Sequence, residues 1–232
     1  PLNTGMMPYF DIEIYKDGYL VRYPDKTKPY EMGPYKETKK LLATFDEYED
    51  IYRLLNVNTV HKLNKKVENG EINDFILLSE ALHEKKISIL ADKICKKKNI
   101  KMVLIAGPSS SGKTTFARKL SLALRLNGLK PVTISVDNYF VERPDTPKDE
   151  KGNYDFECIE AIDLKLFNDH LVKLLNGETI EVPKFDFKVG TKVYDGTTMS
   201  LGKNAILVIE GIHCLNDRST QAIPKEVKVK VY

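Results

Sequence analysis

Gly107-Pro108-Ser109-Ser110-Ser111-Gly112-Lys113-Thr114 satisfies the pattern G-x-x-x-x-G-K-[ST] at every position. Its flanks are the ones such a loop requires. The apolar run 102–106 before it reads as a short buried strand, and 113–127 after it as a helix ended by Gly128. The glycines let the backbone bend so that successive N–H groups converge on phosphate oxygens at the positive end of the following helix. Lys113 adds a point charge for the terminal phosphates, and the Thr114 hydroxyl is a ligand for Mg²⁺. The candidate nucleotide-binding set is therefore Gly107, Ser109, Ser110, Ser111, Gly112, Lys113, Thr114 and Thr115, with ATP and Mg²⁺ as expected cofactors. Such a loop fixes only that a nucleoside triphosphate binds, since switches, motors, synthetases and small-molecule kinases all use one.

Outward from the loop, 131–136 reads as a second strand, 163–175 as a helix and 205–209 as a third strand. Strands alternating with helices predict an α/β fold: a P-loop NTPase domain with a mainly parallel sheet flanked by helices. The pattern changes near residue 100, so two domains are expected, 1–100 and 101–232. The first reads as a small α+β extension. Residues 9–15 and 19–23 form a hairpin about Lys16-Asp17-Gly18, and 41–56, 59–69 and 71–98 form helices. Ile72, Phe75, Ile76, Leu78, Leu82, Ile87, Ile89, Leu90 and Ile94 share about half of the third helix's surface, a stripe that normally faces a core rather than a partner.

Two carboxylates stand where strands should end at the nucleotide face. Asp137 follows 131–136, and Glu210 follows 205–209. Ligands of open α/β sheets gather at the carboxyl ends of strands, so both should converge on the phosphate loop. Alone, each would be read as a turn or cap carboxylate. Beside a phosphate loop, Glu210 is a candidate to hold Mg²⁺ or its waters, and Asp137 a candidate to accept the proton of an attacking hydroxyl. Tyr139, Phe140, Phe185 and Phe187 could sandwich a flat base, or equally pack beneath the loop. Arg143 is a further candidate for a phosphate or substrate contact, although a loop arginine is more often a surface residue. His213 and Cys214 are adjacent at a strand end, point apart, and read as structural.

The remainder of the 232 residues excludes more than it names. With 36 basic against 33 acidic side chains, the net charge is +3. Residues 1–100 carry 17 basic and 16 acidic groups, so neither half offers the excess a nucleic-acid binder relying on bulk electrostatics needs; a local patch stays open. Cys95, Cys158 and Cys214 are scattered and odd in number, which argues against a disulfide framework or zinc site and favours a reducing cytoplasm. No apolar run approaches the roughly 18 residues of a membrane span, and no signal peptide precedes the first strand. Homo-oligomerisation is left open.

The chain resembles the uridine kinase/phosphoribulokinase family. The resemblance is carried by 107–115, Asp137-Asn138-Tyr139-Phe140, Tyr154-Asp155-Phe156-Glu157, Glu181-Val182-Pro183-Lys184-Phe185-Asp186-Phe187 and Ile209-Glu210-Gly211-Ile212, in the family's order. It looks most like bacterial uridine kinase-like proteins whose kinase domain follows an extension similar to part of threonyl-tRNA synthetase. The resemblance implies ATP-dependent phosphorylation of a hydroxyl on a small-molecule acceptor. Asp137 would be the base toward a nucleoside 5′-hydroxyl, Glu210 would assist Mg²⁺, and Glu157 after Phe156 would grip the ribose hydroxyls.

Two positions depart from the family's pattern. Phe185 stands where those kinases have a base-contacting Tyr, and Gly190 where they have a base-reading His. The groups that would discriminate a pyrimidine are therefore missing. A uridine- or cytidine-like nucleoside remains the first acceptor, with a phosphoribulokinase-like or pantothenate kinase-like acceptor as the alternative. A nucleotide-sensing or RNA-binding module is the reading from another class. The family also carries an arginine-bearing lid beyond the strand corresponding to 226–232, so a chain ending there is expected to turn over weakly.

Overall fold

In the computed structural model, which describes residues 9–35 and 37–231, the first regular structure is an antiparallel hairpin of β1 (Asp11–Tyr15) and β2 (Gly18–Arg22). Tyr15 faces Gly18 across a two-residue turn, and Lys16 takes the positive φ of 51° that such turns demand. Helices α1 (Lys39–Leu54) and α2 (Val60–Glu68) follow; α2 starts where Thr59 Oγ1 accepts the Lys62 N–H at 3.3 Å.

Helix α3 (Ile72–Cys95) carries the chain from one compact unit, Pro1–Phe75, into the second, Ile76–Tyr232. The division lies inside the helix's first turns, well before the expected position near residue 100. The reason is the far half of the apolar stripe. Ile87, Ala91 and Ile94 are buried at i, i+4 and i+7 in one cluster with Val103, Ile105, Leu120 and Leu124. Packing on a core thus accounts for that half of the stripe, whereas Ile76, Leu77 and Leu78 are exposed.

The second unit is built on four parallel strands in the order β10-β3-β9-β4: β3 (Met102–Ile105), β4 (Lys130–Ser135), β9 (Ala205–Glu210) and β10 (Lys228–Val231). Helix α4 (Lys113–Leu126) links β3 to β4, and α5 (Leu164–Leu175) lies on the path from β4 to β9. Central strand β3 is buried along its whole length, as an apolar run between two helical layers should be. Side chains alternate between two clusters. Val103, Ile105, Ile206 and Val208 pack with α3 and α4, while Met102, Leu104, Leu207 and Ile209 pack with Phe167, Leu171 and Leu174 of α5. The expected parallel α/β sheet is present.

Between α5 and β9 the chain makes two small antiparallel ladders that periodicity does not announce. β5 (Ile180–Glu181) pairs with β8 (Thr198–Met199), and β6 (Lys184–Asp186) pairs with β7 (Thr191–Val193). Strands of two or three residues are too short to show an alternation. The β6–β7 hairpin is tied down by Lys192, whose Nζ meets Asp163 Oδ2 at 2.9 Å and whose N–H donates to Glu142 Oε1 at 3.2 Å.

Candidate active site

Ile105, Glu210 and Ser135 are register partners across β3, β9 and β4, so the three strands leave the sheet side by side at their carboxyl ends. There the chain after β3 becomes the phosphate loop. Ser110 and Gly112 adopt left-handed backbone, with φ of 58° and 84°. This alternation turns neighbouring N–H groups inward. A Cβ on Gly107 would lie 2.7 Å from Ser111 Oγ, so any side chain there would have to turn the Ser111 hydroxyl aside. Helix α4 begins at Lys113 with no side-chain cap, which leaves its first N–H groups directed at the loop. Lys113 Nζ donates to the Pro108 carbonyl at 2.8 Å, holding the ammonium within the loop.

Thr114 Oγ1 donates to Glu210 Oε1 at 3.3 Å, joining the first turn of α4 to the end of β9. Among the described residues no three His, Cys, Asp or Glu side chains gather to hold a metal. The adjacent Thr114 hydroxyl and Glu210 carboxylate are oxygen donors of the kind that fit Mg²⁺, an ion that takes one or two protein oxygens and completes its shell with water and substrate phosphates. The alternating left-handed loop and the Gly107 cradle likewise fit a polyphosphate.

Asp137 lies two residues beyond Ser135, in the 3₁₀ turn Val136–Tyr139. Burial, and after it the Glu210 carboxylate, raise its carboxyl above the ordinary aspartate value; Lys113 and His213 pull it back. Gly211 permits this placement. A Cβ there would stand 2.7 Å from the Val136 Cβ, so the turn carrying Asp137 can close against the end of β9.

The aromatic candidates divide. Phe140, Phe185 and Phe187 form a cluster, with centroids 5.5 Å (Phe140–Phe185), 5.7 Å (Phe140–Phe187) and 5.0 Å (Phe185–Phe187) apart, and Phe156 lies 5.8 Å from Phe140. Phe140 and Phe185 are buried, whereas Phe187 is 55% exposed. Tyr139 is a correction. It is fully buried, its ring 4.8 Å from Phe167 and its hydroxyl 3.1 Å from His170 Nδ1, so it packs under the turn and cannot meet a substrate.

Glu157 is exposed, and its backbone N–H donates to Asp155 Oδ1 at 2.9 Å. Asp155, which also follows an aromatic ring, is the half-buried acid of this segment and accepts from Cys158 N as well. Arg143 lies against the β6–β7 turn, its guanidinium donating to the Phe187 and Lys188 carbonyls. Cys214 is buried, its thiol pushed up to about 12 by burial and then by Glu210, so it stays protonated and structural.

Two contributors were missed. Asn138 Oδ1 accepts the Phe185 N–H at 3.5 Å and joins the Asp137 turn to β6. His213, read from sequence as structural only, acts on the charge of Asp137. Neither has a spacing signal, because each contact arises between elements remote in sequence.

The family model described as "Phosphoribulokinase / Uridine kinase family" matches residues 102–232. The chain belongs to this family. Among its relatives, a uridine kinase of Halobacterium salinarum is 31% identical over 115 residues, 50% of this chain and 49% of that protein. A uridine kinase of Deinococcus deserti is also 31% identical, over 128 residues that cover 55% and 58% of the two chains. The chain thus spans about half the length of these uridine kinases. The match to the inorganic pyrophosphatase TTM2 of Arabidopsis thaliana, 35% identical over 135 residues, covers 58% of this chain and 18% of that one. A solved structure of a "possible uridine kinase" from Bacillus stearothermophilus is 24% identical, with a TM-score of 0.47 over 63% of this chain and 79% of that one. Among the described residues no helix is long and apolar enough to cross a membrane.

Proposed function

We propose that this phosphoribulokinase/uridine kinase family member transfers the γ-phosphoryl group of ATP to a hydroxyl of a small metabolite, with Asp137 as the general base. The observation that carries this reading is the meeting of three strand ends: Glu210, register partner of Ser135, has the Thr114 hydroxyl 3.3 Å away and raises the carboxyl of Asp137 two residues on. The acceptor hydroxyl gives its proton to Asp137 as its oxygen forms a bond to the γ-phosphorus, and the bond from phosphorus to the ADP oxygen breaks. Lys113 and the loop amides stabilise charge on the transferring group. Mg²⁺ held by Thr114 and Glu210 would supply neutralisation of the β- and γ-phosphates. Phe140, three residues past the base, clusters with Phe185 and Phe187, and the nucleoside reading takes its support from the exposed part of the Phe187 ring.

The test is acceptor-dependent ADP release, measured with ATP and Mg²⁺ across nucleosides, ribulose 5-phosphate and pantothenate. ATP binding without release for any acceptor would replace the kinase with a nucleotide sensor.

A further inference from the structure

A cleft of about 480 Å³ runs between α4 and β4, the strand at the edge of the parallel sheet. That volume lies within the range of small-molecule sites. Thr114 and Glu210 form one end, and Arg118, Ser121 and Arg125 follow along the helix. Residues 118, 121 and 125 fall within about 60° of one another around an α-helix, so one face carries all three. Across from them, Val132 and Ile134 turn to the α5 side and join the cluster of Leu207 and Ile209. By strand alternation Thr133 and Ser135 then face α4, and both line the cleft.

The cleft is rich in hydrogen-bond donors and poor in acceptors. Ser121 is 7% exposed, and its Oγ is buried with no hydrogen-bond partner in the chain. A serine inside a helix can bond the carbonyl four residues back, and a buried hydroxyl left unpaired is costly. Among the described residues, the guanidinium groups of Arg118 and Arg125 have no ion-pair or hydrogen-bond partner, nor do the hydroxyls of Thr133 and Ser135. Lys119, on another face of α4, shows the contrast, its Nζ pairing with Glu84 Oε1 at 2.5 Å. The carboxylate at the end of the cleft, Glu210, already accepts from Thr114.

We propose that this cleft is a second phosphate site, in which Arg118 and Arg125 hold the oxygens of a small phosphorylated ligand and Ser121 Oγ donates from the floor. The two arginines start about 10.5 Å apart along the helix axis, with Ser121 between them, a span that two long side chains close over one tetrahedral group. A phosphate supplies the acceptors that two guanidinium forks and three hydroxyls lack. Leu122, 54% exposed in the same lining, offers apolar surface to the rest of the ligand. Neither Lys113 nor Asp137 lines this cleft, so it is distinct from the phosphate loop and the proposed base. It goes beyond the kinase reading and stands without it.

The 232-residue chain is saturated with Mg²⁺ and a non-hydrolysable ATP analogue, which occupies the phosphate loop. It is then titrated by calorimetry with inorganic phosphate and with uridine monophosphate. Saturable binding of either probe, weaker by about tenfold or more in Arg118→Met and in Arg125→Met, supports the inference. Binding of inorganic phosphate alone makes the free ion the ligand, and tighter binding of the nucleotide makes it a phosphate ester. Both arginines are exposed, so circular dichroism should show both variants folded. The same binding should survive Lys113→Met, which disables the phosphate loop. Ser121→Ala should raise Tm without ligand, because an unpaired buried hydroxyl is removed, while affinity for the probe falls about threefold to tenfold. Absence of saturable binding by both probes overturns the inference, as does binding indifferent to both arginines; either result leaves the kinase reading standing. A Ser121→Ala variant with lower Tm and unchanged affinity overturns it too.

Discussion

Gly211 and Val136 approach so closely that a Cβ added to the glycine would sit 2.7 Å from the Cβ of the valine. Backbone order at the end of β9 thereby sets where the Asp137 turn rests. Gly211→Ala should push the two apart, costing about 1–3 kcal/mol of stability as an overpacked site. It should lower kcat more than nucleotide affinity, by about tenfold to a hundredfold, since a misplaced base loses orientation while the phosphate loop is untouched. Parallel measurement of kcat and ATP Kd checks this; equal loss in both would contradict it.

Asp137→Asn should reduce kcat/KM by about 10²–10⁴-fold, the usual contribution of a positioned base. In the unsubstituted protein, activity should fall on acidification through a pKa above the ordinary 3.8, because burial and Glu210 raise that carboxyl. Stability has the opposite sign. Above the raised pKa the folded state holds a carboxylate it disfavours; below 3.8 both folded and unfolded chains are protonated and the penalty vanishes. Asp137→Asn should therefore raise Tm at neutral pH while removing turnover, and a Tm that falls would contradict the burial argument.

Lys113→Met removes the one charged side chain held inside the phosphate loop by its bond to the Pro108 carbonyl. It should cost at least about 10²-fold in kcat, the scale seen when a single preorganised donor to developing charge is deleted. Thr114→Val keeps volume but deletes the hydroxyl bonded to Glu210. Its defect should show as a higher Mg²⁺ concentration for half-maximal activity, read from a magnesium titration at fixed ATP.

Ile94→Ala tests whether the far half of α3 belongs to the core of the second unit. Ile94 is 2% exposed and clustered with Val103, Leu120 and Leu124. A cost of about 2–5 kcal/mol is expected, as for other large-to-small changes at buried sites. Leu77→Ala, at a 63% exposed position on the same helix, should change stability by less than about 0.5 kcal/mol. Urea denaturation of both variants makes the comparison.

How much of this was legible depended on the range of each interaction. The phosphate loop, α4, α5, the parallel strands and both strand-end carboxylates are encoded by local pattern, and the sequence reading placed them within a residue or two. Which neighbours the far half of α3 packs on was not, because Ile87, Ala91 and Ile94 find their partners in strands and helices further along, which periodicity cannot identify. Tyr139 was misread for a related reason. Within Asp137-Asn138-Tyr139-Phe140 nothing local says which ring turns inward; the packing of Phe167 and His170 from α5 decides it. Arg143 and Gly190 are 47 positions apart, and only the folded hairpin shows that one occupies the other's missing side chain.

The uncapped start of α4 has a consequence for how the fold breathes. Its leading amides have no side-chain acceptor, so the first turn should exchange hydrogen faster than the buried segment around Leu120 and Leu124. Occupancy by a polyphosphate would supply those acceptors and couple local order to ligand concentration, adding about 2.7 kcal/mol of apparent stability at a hundred times Kd. Slowed deuterium uptake at 113–116 would then report nucleotide engagement directly, independent of whether any acceptor is present.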